Sequence, residues 1–173
     1  MKRNDFHQAA LEIRILVNIV AKMARRDLEQ RLDASGIGVG ALPFSVMRLL
    51  SYHPYTISEL SRKMILKPAT LVPAIDALER QGFVRRGQDP RDRRRTPLEL
   101  TEQGATALAR VPVIDSSDAL INSLNNMGDE KCHQLLMLLR ELVSIMPAGE
   151  DILEEISSVI GSQLKSTDEN ANA

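Results

Sequence analysis

The 173-residue sequence contains a single cysteine, Cys132, and this scarcity limits what the chain can be. One thiol cannot build the internal disulfide framework of small secreted domains, and it suits a reducing cytoplasm. No signal peptide is visible, and the longest apolar runs fall far short of the roughly 18 residues that a membrane-spanning helix needs. We therefore expect a cytoplasmic protein with no membrane segment.

The sequence also lacks the clustered side chains that catalysis or metal binding requires. Its three histidines, His7, His53 and His133, stand far apart and show no ligand spacing of the H-x-x-x-H kind. Cys132 is adjacent to His133, so the two side chains diverge by about 100° on a helix, and we interpret the cysteine as a buried packing residue, the alternative being a redox-active thiol near a helix start. Residues 35–40, SGIGVG, nearly match a dinucleotide-binding fingerprint but follow a polar helix end instead of a strand, which predicts a loop. We expect no catalytic site, no metal and no cofactor.

Charge is divided unevenly along the chain, although its net value is only −1. Residues 1–55 carry 8 Lys and Arg against 5 Asp and Glu, residues 56–101 carry 10 against 6, and residues 102–173 carry 4 against 12. The acidic C-terminal segment is unsuited to a partner made of phosphates. The basic central segment fits such a partner.

Residues 56–101 predict two short helices joined by a tight turn and followed by a hairpin. Thr56 and Glu59 have the spacing of a capping box, so the first helix should follow them directly. The second helix should span residues 68–81 and end at Gly82, which adopts a left-handed conformation at little cost. Apolar residues at helical spacing predict its buried stripe: Leu71, Ala74, Ile75 and Leu78.

The opposite face of the second helix is predicted to be exposed, and in a helix-turn-helix this face meets base edges in the major groove. Lys67 suits a phosphate or a guanine, and Thr70 can hydrogen-bond to a base or a phosphate. The other residues are apolar, so we expect contact with thymine methyl groups, the alternative being that they touch protein or nothing. Pro73 removes one intrahelical bond and predicts a kink or an irregular first turn, and Ile65 and Leu66 at the preceding turn are expected to fill the core. The predicted DNA-binding residues of the helix are Lys67, Pro68, Ala69, Thr70, Val72 and Pro73.

Two short strands are predicted after this helix, at residues 83–86 and 96–100, with Pro97 at an edge because it cannot donate to a ladder. Four arginines crowd the loop between them, residues 87–95, where Asp92 can pair with an arginine and hold the loop in shape. An arginine-tipped hairpin can enter the narrow minor groove, where the negative potential is concentrated. The alternative is a solvated run of charge. The predicted DNA-binding arginines are Arg91, Arg93, Arg94 and Arg95.

The run LERQGFVRRGQDPRDRRRTPLELTEQG resembles the winged-helix signature of the MarR family of bacterial transcription regulators. Its most specific part is the D-x-R element that begins at Asp92, followed by Leu100, Thr101 and Gly104. The resemblance implies a homodimeric winged helix-turn-helix repressor or activator that binds a pseudo-palindromic operator. It also implies that Arg94 enters the minor groove with Asp92 as its organising partner. A small aromatic or phenolic effector would lie between the winged lobe and the dimer helices.

Two features depart from the family pattern. Many members carry a serine and an arginine where this chain has Val72 and Pro73, which puts the usual base contacts there in doubt. The Thr-Leu-x-Pro pattern resembles the organic-peroxide-sensing branch, but the reactive cysteine which that branch carries near the start of its first helix is missing here.

The flanking segments predict amphipathic helices, and the first and fifth of them are too apolar for one protomer to cover. This excess predicts a dimer interface. We expect a mainly α fold with a small β-hairpin wing, that is, a winged helix-turn-helix plus a helical dimerisation region. The flanking helices are predicted at residues 8–32, 42–50, 102–110, 114–127, 131–145 and 150–164. The predicted domains are a dimerisation helix at 1–34, a winged helix-turn-helix at 42–104, dimerisation helices at 105–164 and a disordered tail at 165–173.

Three classes of function compete for this sequence. The first is an effector-responsive, nucleoid-associated transcription regulator that acts as a homodimer, and the four loop arginines favour it. The second is a winged helix that binds protein instead of DNA. The third, an enzyme, has no catalytic constellation to support it.

Overall fold

The computed structural model describes residues 3–88, 95–112, 118–154 and 156–157. Within these ranges the chain is mainly helical with one two-stranded antiparallel sheet, which confirms the predicted fold class. Residues 149–154 and 156–157 are also helical. The helices and strands are α1 (Arg3–Ser35), α2 (Ala41–Leu50), α3 (Ile57–Lys63), α4 (Pro68–Arg80), β1 (Val84–Arg86), β2 (Leu98–Leu100), α5 (Glu102–Ala109), α6 (Ala119–Met127) and α7 (Asp129–Ser144).

The chain divides into two compact units. The first, which we call the helical unit, combines Met1–Ala41 with Val111–Cys132. The second, the winged unit, combines Leu42–Arg110 with His133–Ala173. Apolar side chains from its helices and both strands form the buried core of the winged unit: Phe44, Val46, Met47, Leu50, Leu60, Leu71, Ala74, Ile75, Leu78, Val84, Leu98, Ala107 and Leu108.

Helix α3 begins at the predicted capping box. The Thr56 N–H donates to Glu59 Oε2 over 2.7 Å, and the Glu59 N–H donates back to Thr56 Oγ1 over 3.3 Å. A helix start leaves its first N–H groups without intrahelical partners, and this reciprocal pair satisfies two backbone donors. The sequence alone therefore located the start of the helix-turn-helix.

The turn between α3 and α4 shows that one prediction was wrong. Ile65 does not fill the core, because it is 67% exposed and has a φ of 53°. Its N–H donates to the Arg62 carbonyl over 3.1 Å, and the Leu66 N–H donates to the Ser61 carbonyl over 3.0 Å. The Ser61 hydroxyl also donates to the Leu66 carbonyl. These bonds fix the backbone of the turn, so the geometry of the turn, and not the apolar character of Ile65, decides its exposure.

Helix α4 ends in a Schellman motif built on Gly82. The Gly82 N–H donates to the Glu79 carbonyl over 3.0 Å, and the Phe83 N–H donates to the Leu78 carbonyl over 3.0 Å. Gly82 has a φ of +73°, the left-handed conformation that the sequence predicted. The motif turns the chain directly from the helix into β1.

The hairpin pairs β1 with β2 in an antiparallel register that places Val84 opposite Leu100 and Arg86 opposite Leu98. Both strands are shorter than predicted. Tyr55, just ahead of α3, joins Leu98 through two backbone hydrogen bonds of 3.3 and 2.8 Å. The loop end of β2 is therefore attached to the start of the helix-turn-helix.

In the helical unit, α1 is longer than predicted and begins at Arg3 instead of Gln8. Asp5 lies in its first turn, where a negative charge is favourable next to the helix dipole. Helix α6 begins at Ala119, later than predicted, and residues 114–117 of the predicted range lie outside the described residues.

A single arginine links α1 to the start of α6 in the helical unit. The Arg31 guanidinium binds Asp118 over 2.7 Å and Asp27 over 3.1 Å. Asp118 also caps α6, because its carboxylate accepts from the Ile121 N–H over 3.0 Å. All three charged side chains are mostly buried, so the charges satisfy one another away from bulk water.

Candidate nucleic-acid interface

Helix α4 presents two faces of opposite character. On its inner face Leu71, Ile75 and Leu78 are completely buried, and the helix is continuous through Pro73. The outer face carries all six side chains that the sequence assigned to DNA contact, and each of them is exposed: Lys67, Pro68, Ala69, Thr70, Val72 and Pro73. A firmly anchored helix therefore offers one exposed face for recognition.

Lys67 occupies the N-cap position of α4 with an extended backbone and makes no capping hydrogen bond through its side chain. The start of a 13-residue helix carries the positive end of the helix dipole. A phosphate placed here would meet both the dipole and the Lys67 ammonium group, a combination that binds anions well.

Arg86 in β1 reaches back to the two acidic side chains of α4. Its Nη2 lies 3.2 Å from Asp76 Oδ1, and its Nε lies 2.9 Å from Glu79 Oε2. Two carboxylates on a DNA-reading helix would repel phosphates, and one guanidinium bound to both reduces this repulsion. Sequence reasoning missed the role of Arg86, because the contact depends on how the hairpin folds back onto α4.

In the loop of the hairpin, three residues before β2, Arg95 is held by Glu59. Its Nη2 lies 2.6 Å from Glu59 Oε1, while the other carboxylate oxygen accepts the capping bonds from Thr56. Burial raises the pKa of Glu59, but the hydrogen bonds from Thr56 and the charges of Arg95 and Arg62 outweigh it and lower the pKa below its ordinary value. Glu59 thus stays ionised and serves both the helix start and the hairpin.

Only some of the remaining residues of the wing belong to the part of the chain that the structure describes. Arg91, Asp92, Arg93 and Arg94 lie outside the described residues, so their roles stay predictions. On the hairpin itself, Arg85 and Glu99 stand opposite each other and form an ion pair of 2.7 Å across the strands.

A cavity of about 710 Å³ lies inside the winged unit beside the start of α4. One wall comes from the end of α3 and the following turn, and the other from the first residues of the C-terminal helical segment. Basic side chains stand on the first wall and acidic ones on the second. The lining residues are Ser61, Arg62, Ile65, Leu66, Lys67, Ala148, Asp151, Ile152 and Glu154.

Across the described ranges, no three His, Cys, Asp or Glu side chains come together as a metal site would require. Within the same ranges, no helix is both long enough and apolar enough to cross a membrane. Cys132 is half-buried in α7.

A capped helix-turn-helix with one exposed reading face, followed by a two-stranded hairpin that folds back onto it, defines a winged-helix DNA-binding protein. Comparison with known proteins narrows this class. The model of the MarR family matches residues 43–96. The transcriptional regulator HosA of Escherichia coli O111:H- is 30% identical over 103 residues, which cover 58% of this chain and 75% of HosA. The chain therefore belongs to the MarR family of transcription regulators.

Further relatives are similar to this chain over a larger part of its length. The HTH-type transcriptional regulator YkoM of Bacillus subtilis (strain 168) is 26% identical over 144 residues, which cover 82% of this chain and 93% of YkoM. The transcriptional repressor CouR, solved with a 23-mer DNA duplex, has a TM-score of 0.63 and 23% identity over 73% of this chain and 89% of its own. CouR from Rhodococcus jostii RHA1, solved with p-coumaroyl-CoA, has a TM-score of 0.51 and 25% identity over 66% and 87%. These structures share the fold of this chain.

Proposed function

We propose that this chain is a homodimeric, sequence-specific transcription repressor of the cytoplasm whose DNA affinity is modulated by a small aromatic effector. The outer face of α4 carries this proposal. Its six side chains are exposed together, and the Asp76 and Glu79 carboxylates are bound to Arg86. The surface offered to DNA is therefore cationic at Lys67, and the negative charge of its two acids is halved by Arg86, which favours binding to a polyanion.

The proposed contacts divide between the two grooves. Residues of α4 would lie in the major groove, and the wing arginines Arg91, Arg93, Arg94 and Arg95 would follow the backbone or enter the minor groove, with Asp92 organising the wing. Arg95 is already bound to Glu59, so its role includes fixing the loop of the hairpin.

Exposed apolar side chains on α1 and α7 support a homodimer. A soluble monomer rarely exposes a contiguous apolar patch of more than a few hundred Å². Each of these side chains is about half exposed, so burying the exposed part is favourable by about 1 kcal/mol. A symmetric dimer would pair the same surface of two copies and present two α4 helices to a pseudo-palindromic operator. The exposed apolar residues are Phe6, Leu11, Ile13, Ile15, Leu16, Val17, Ile19, Val20 and Met23 on α1, and Leu135, Leu136, Met137, Leu138, Leu139 and Leu142 on α7.

We assign the cavity beside α4 to the effector. Its volume of about 710 Å³ lies within the range of roughly 300–1,000 Å³ typical of small-molecule sites. Ile65 and Ile152 supply apolar lining, and Arg62 supplies a cation for an acidic group. Because Lys67 lines the same cavity, a bound ligand would alter the start of the reading helix, and the effects of ligand and DNA on each other would be reciprocal. The p-coumaroyl-CoA complex of CouR supports an effector of aromatic character.

The second candidate is a winged helix that binds protein and not DNA. The pairing of Arg86 with both α4 carboxylates favours DNA, because it lowers the negative charge that this face would present to phosphates. The response to salt separates the two functions, since affinity for DNA falls steeply as counterions compete for the phosphates.

Fluorescence-anisotropy titration against DNA from upstream of the coding region of this protein, at two salt concentrations and with a scrambled duplex as control, tests the proposal. We expect tight, sequence-preferring binding that weakens steeply with salt. Lys67→Ala should lower the salt slope by about two units, one for each protomer of the proposed dimer, whereas Lys22→Ala, which removes the same charge from α1, should leave it unchanged. If neither this DNA nor any duplex selected from a random pool binds in preference to the scrambled control, the protein-binding function is the correct one.

A further inference from the structure

We propose that the reading helix recognises thymine, and that it does so through the 5-methyl group of the base. This inference rests on the proposed DNA-binding function and specifies the operator that the function requires. The reading surface consists of Ala69, Val72 and Pro73.

These three residues share one face because they are spaced three and four positions apart on α4. All three are exposed, and Val72 is 37% exposed. Directly behind them, Leu71, which is completely buried, anchors the same turns of the helix to the core. The apolar face is therefore a rigid platform.

The side chains on this platform lose little freedom when they bind. Valine has one strongly preferred rotamer in a helix, alanine has none to lose, and the ring of Pro73 is fixed to the backbone. A contact made by such groups avoids most of the cost of ordering a long side chain. Most of the free energy gained from each apolar contact is therefore retained as binding affinity, although the gain from each contact is small.

The same face is poor in groups for reading bases by hydrogen bonds. Between Lys67 at its start and Arg80 at its end, α4 contains no arginine, lysine, asparagine or glutamine, the side chains that pair with guanine and adenine through two bonds. Lys67 and Thr70 can hydrogen-bond to a base or a phosphate from the first turn, and Ala69, Val72 and Pro73 lie beside them. An apolar platform in the major groove has one complementary group among the four bases, the thymine methyl.

Asp76 lies on the next turn of α4, and a free carboxylate at this position would recognise a base other than thymine. A carboxylate in the major groove can accept from the amino group of cytosine. Here Asp76 Oδ1 is bound by Arg86 Nη2 at 3.2 Å, which ties the carboxylate to the hairpin. Between the first turn of α4 and Arg80 at its end, Val72 and Pro73 are thereby left as the exposed residues that can discriminate between bases.

The test uses the tightest duplex obtained by selection from a random pool. Each thymine in one half-site is replaced by uracil, which keeps every hydrogen-bonding group and removes only the methyl. We expect the wild-type protein to lose affinity about fourfold for each methyl that the platform buries. In Val72→Ala this loss should shrink at the position that Val72 contacts, because the partner of the methyl is gone.

Two controls separate methyl contact from other effects of uracil. Lys67→Ala should weaken binding to the thymine and uracil duplexes equally, since a phosphate contact is indifferent to the methyl. A change in DNA stiffness would weaken wild-type and Val72→Ala binding to the uracil duplex by the same factor, and that result would overturn the inference. Equal wild-type affinity for both duplexes would overturn it too, while leaving sequence-specific DNA binding intact. If no selected duplex is preferred over a scrambled one, the proposed function fails first and the inference fails with it.

Discussion

Glu59 joins the first turn of α3 to the loop of the hairpin, and replacing it with alanine removes both contacts at once. Glu59→Ala keeps the Thr56 side-chain cap but removes the hydrogen bonds that the Glu59 carboxylate accepts from Thr56, and loss of a hydrogen bond typically costs about 0.5–1.5 kcal/mol of stability. The Arg95–Glu59 pair is half exposed on the arginine side, so solvent screening limits its contribution to below about 1 kcal/mol. We therefore expect Glu59→Ala to lower the free energy of unfolding by about 1–2 kcal/mol, measured by urea denaturation at pH 7 and fixed protein concentration.

Glu59→Gln separates the two contacts, because the amide oxygen can still accept the capping bonds but carries no charge for Arg95. It should retain most of the stability that Glu59→Ala loses. In a double-mutant cycle with Arg95→Ala, the ion pair should appear as a coupling energy of a few tenths of a kcal/mol up to about 1 kcal/mol. A Glu59→Ala protein with wild-type stability would refute the argument, since neither contact could then matter to the fold.

The lowered pKa of Glu59 adds a pH dependence of defined sign. A carboxyl group whose folded pKa lies below its unfolded value of about 4.3 stabilises the fold at pH values above the unfolded value. This contribution is lost as the pH falls through the folded value. The stability difference between wild type and Glu59→Gln should therefore be constant near neutrality and shrink in acid below about pH 4. A difference that grows in acid would contradict the assigned shift.

Three further predictions concern the wing and the dimer. Arg86→Ala should weaken DNA binding about fivefold for each half-site that the proposed dimer occupies, because it exposes two carboxylates per protomer that each repel a nearby phosphate by roughly 0.5 kcal/mol in water. Anisotropy measures this loss, and unchanged affinity would show that the reading face tolerates these charges. Arg94→Ala should cost about 1–3 kcal/mol of DNA affinity with an unchanged melting temperature, and wild-type affinity would exclude the wing assignment. Leu16→Glu combined with Val20→Glu should convert the proposed dimer to a monomer in sedimentation, whereas Asn18→Glu should not. A wild-type protein that sediments as a monomer would refute the proposed dimer.

Local signals in the sequence predicted the helix-turn-helix well. The capping box at Thr56, the apolar spacing of α4 and the left-handed Gly82 each depend on residues close together in the chain, and the structure confirms all three. The outer face of α4 followed from the same spacing. These features were predictable because helical geometry relates sequence position to surface directly.

Features that depend on distant contacts were not predictable from the sequence. The exposure of Ile65 follows from the hydrogen bonds of the turn, whereas its apolar side chain suggested burial. Arg86 looked like one more basic residue until the hairpin brought it to Asp76. The ion pair of Glu59 with Arg95 likewise depends on the fold, because Arg95 lies 36 positions away in the chain and contacts the start of α3 only in the folded protein.

The small size of the hairpin has a consequence for how the protein behaves when concentrated. Each strand contains three residues, and the edge of β2 that faces away from β1 already pairs with the backbone of Tyr55 at Leu98. A sheet this short offers few free backbone groups to a strand from another molecule, which is a common defence against aggregation through sheet edges. Amyloid-like growth should therefore not start at the wing. If concentrated protein precipitates, we expect the molecules to associate first through the exposed apolar side chains of α1 and α7. Conditions that favour the proposed dimer would cover these side chains and should keep the protein in solution.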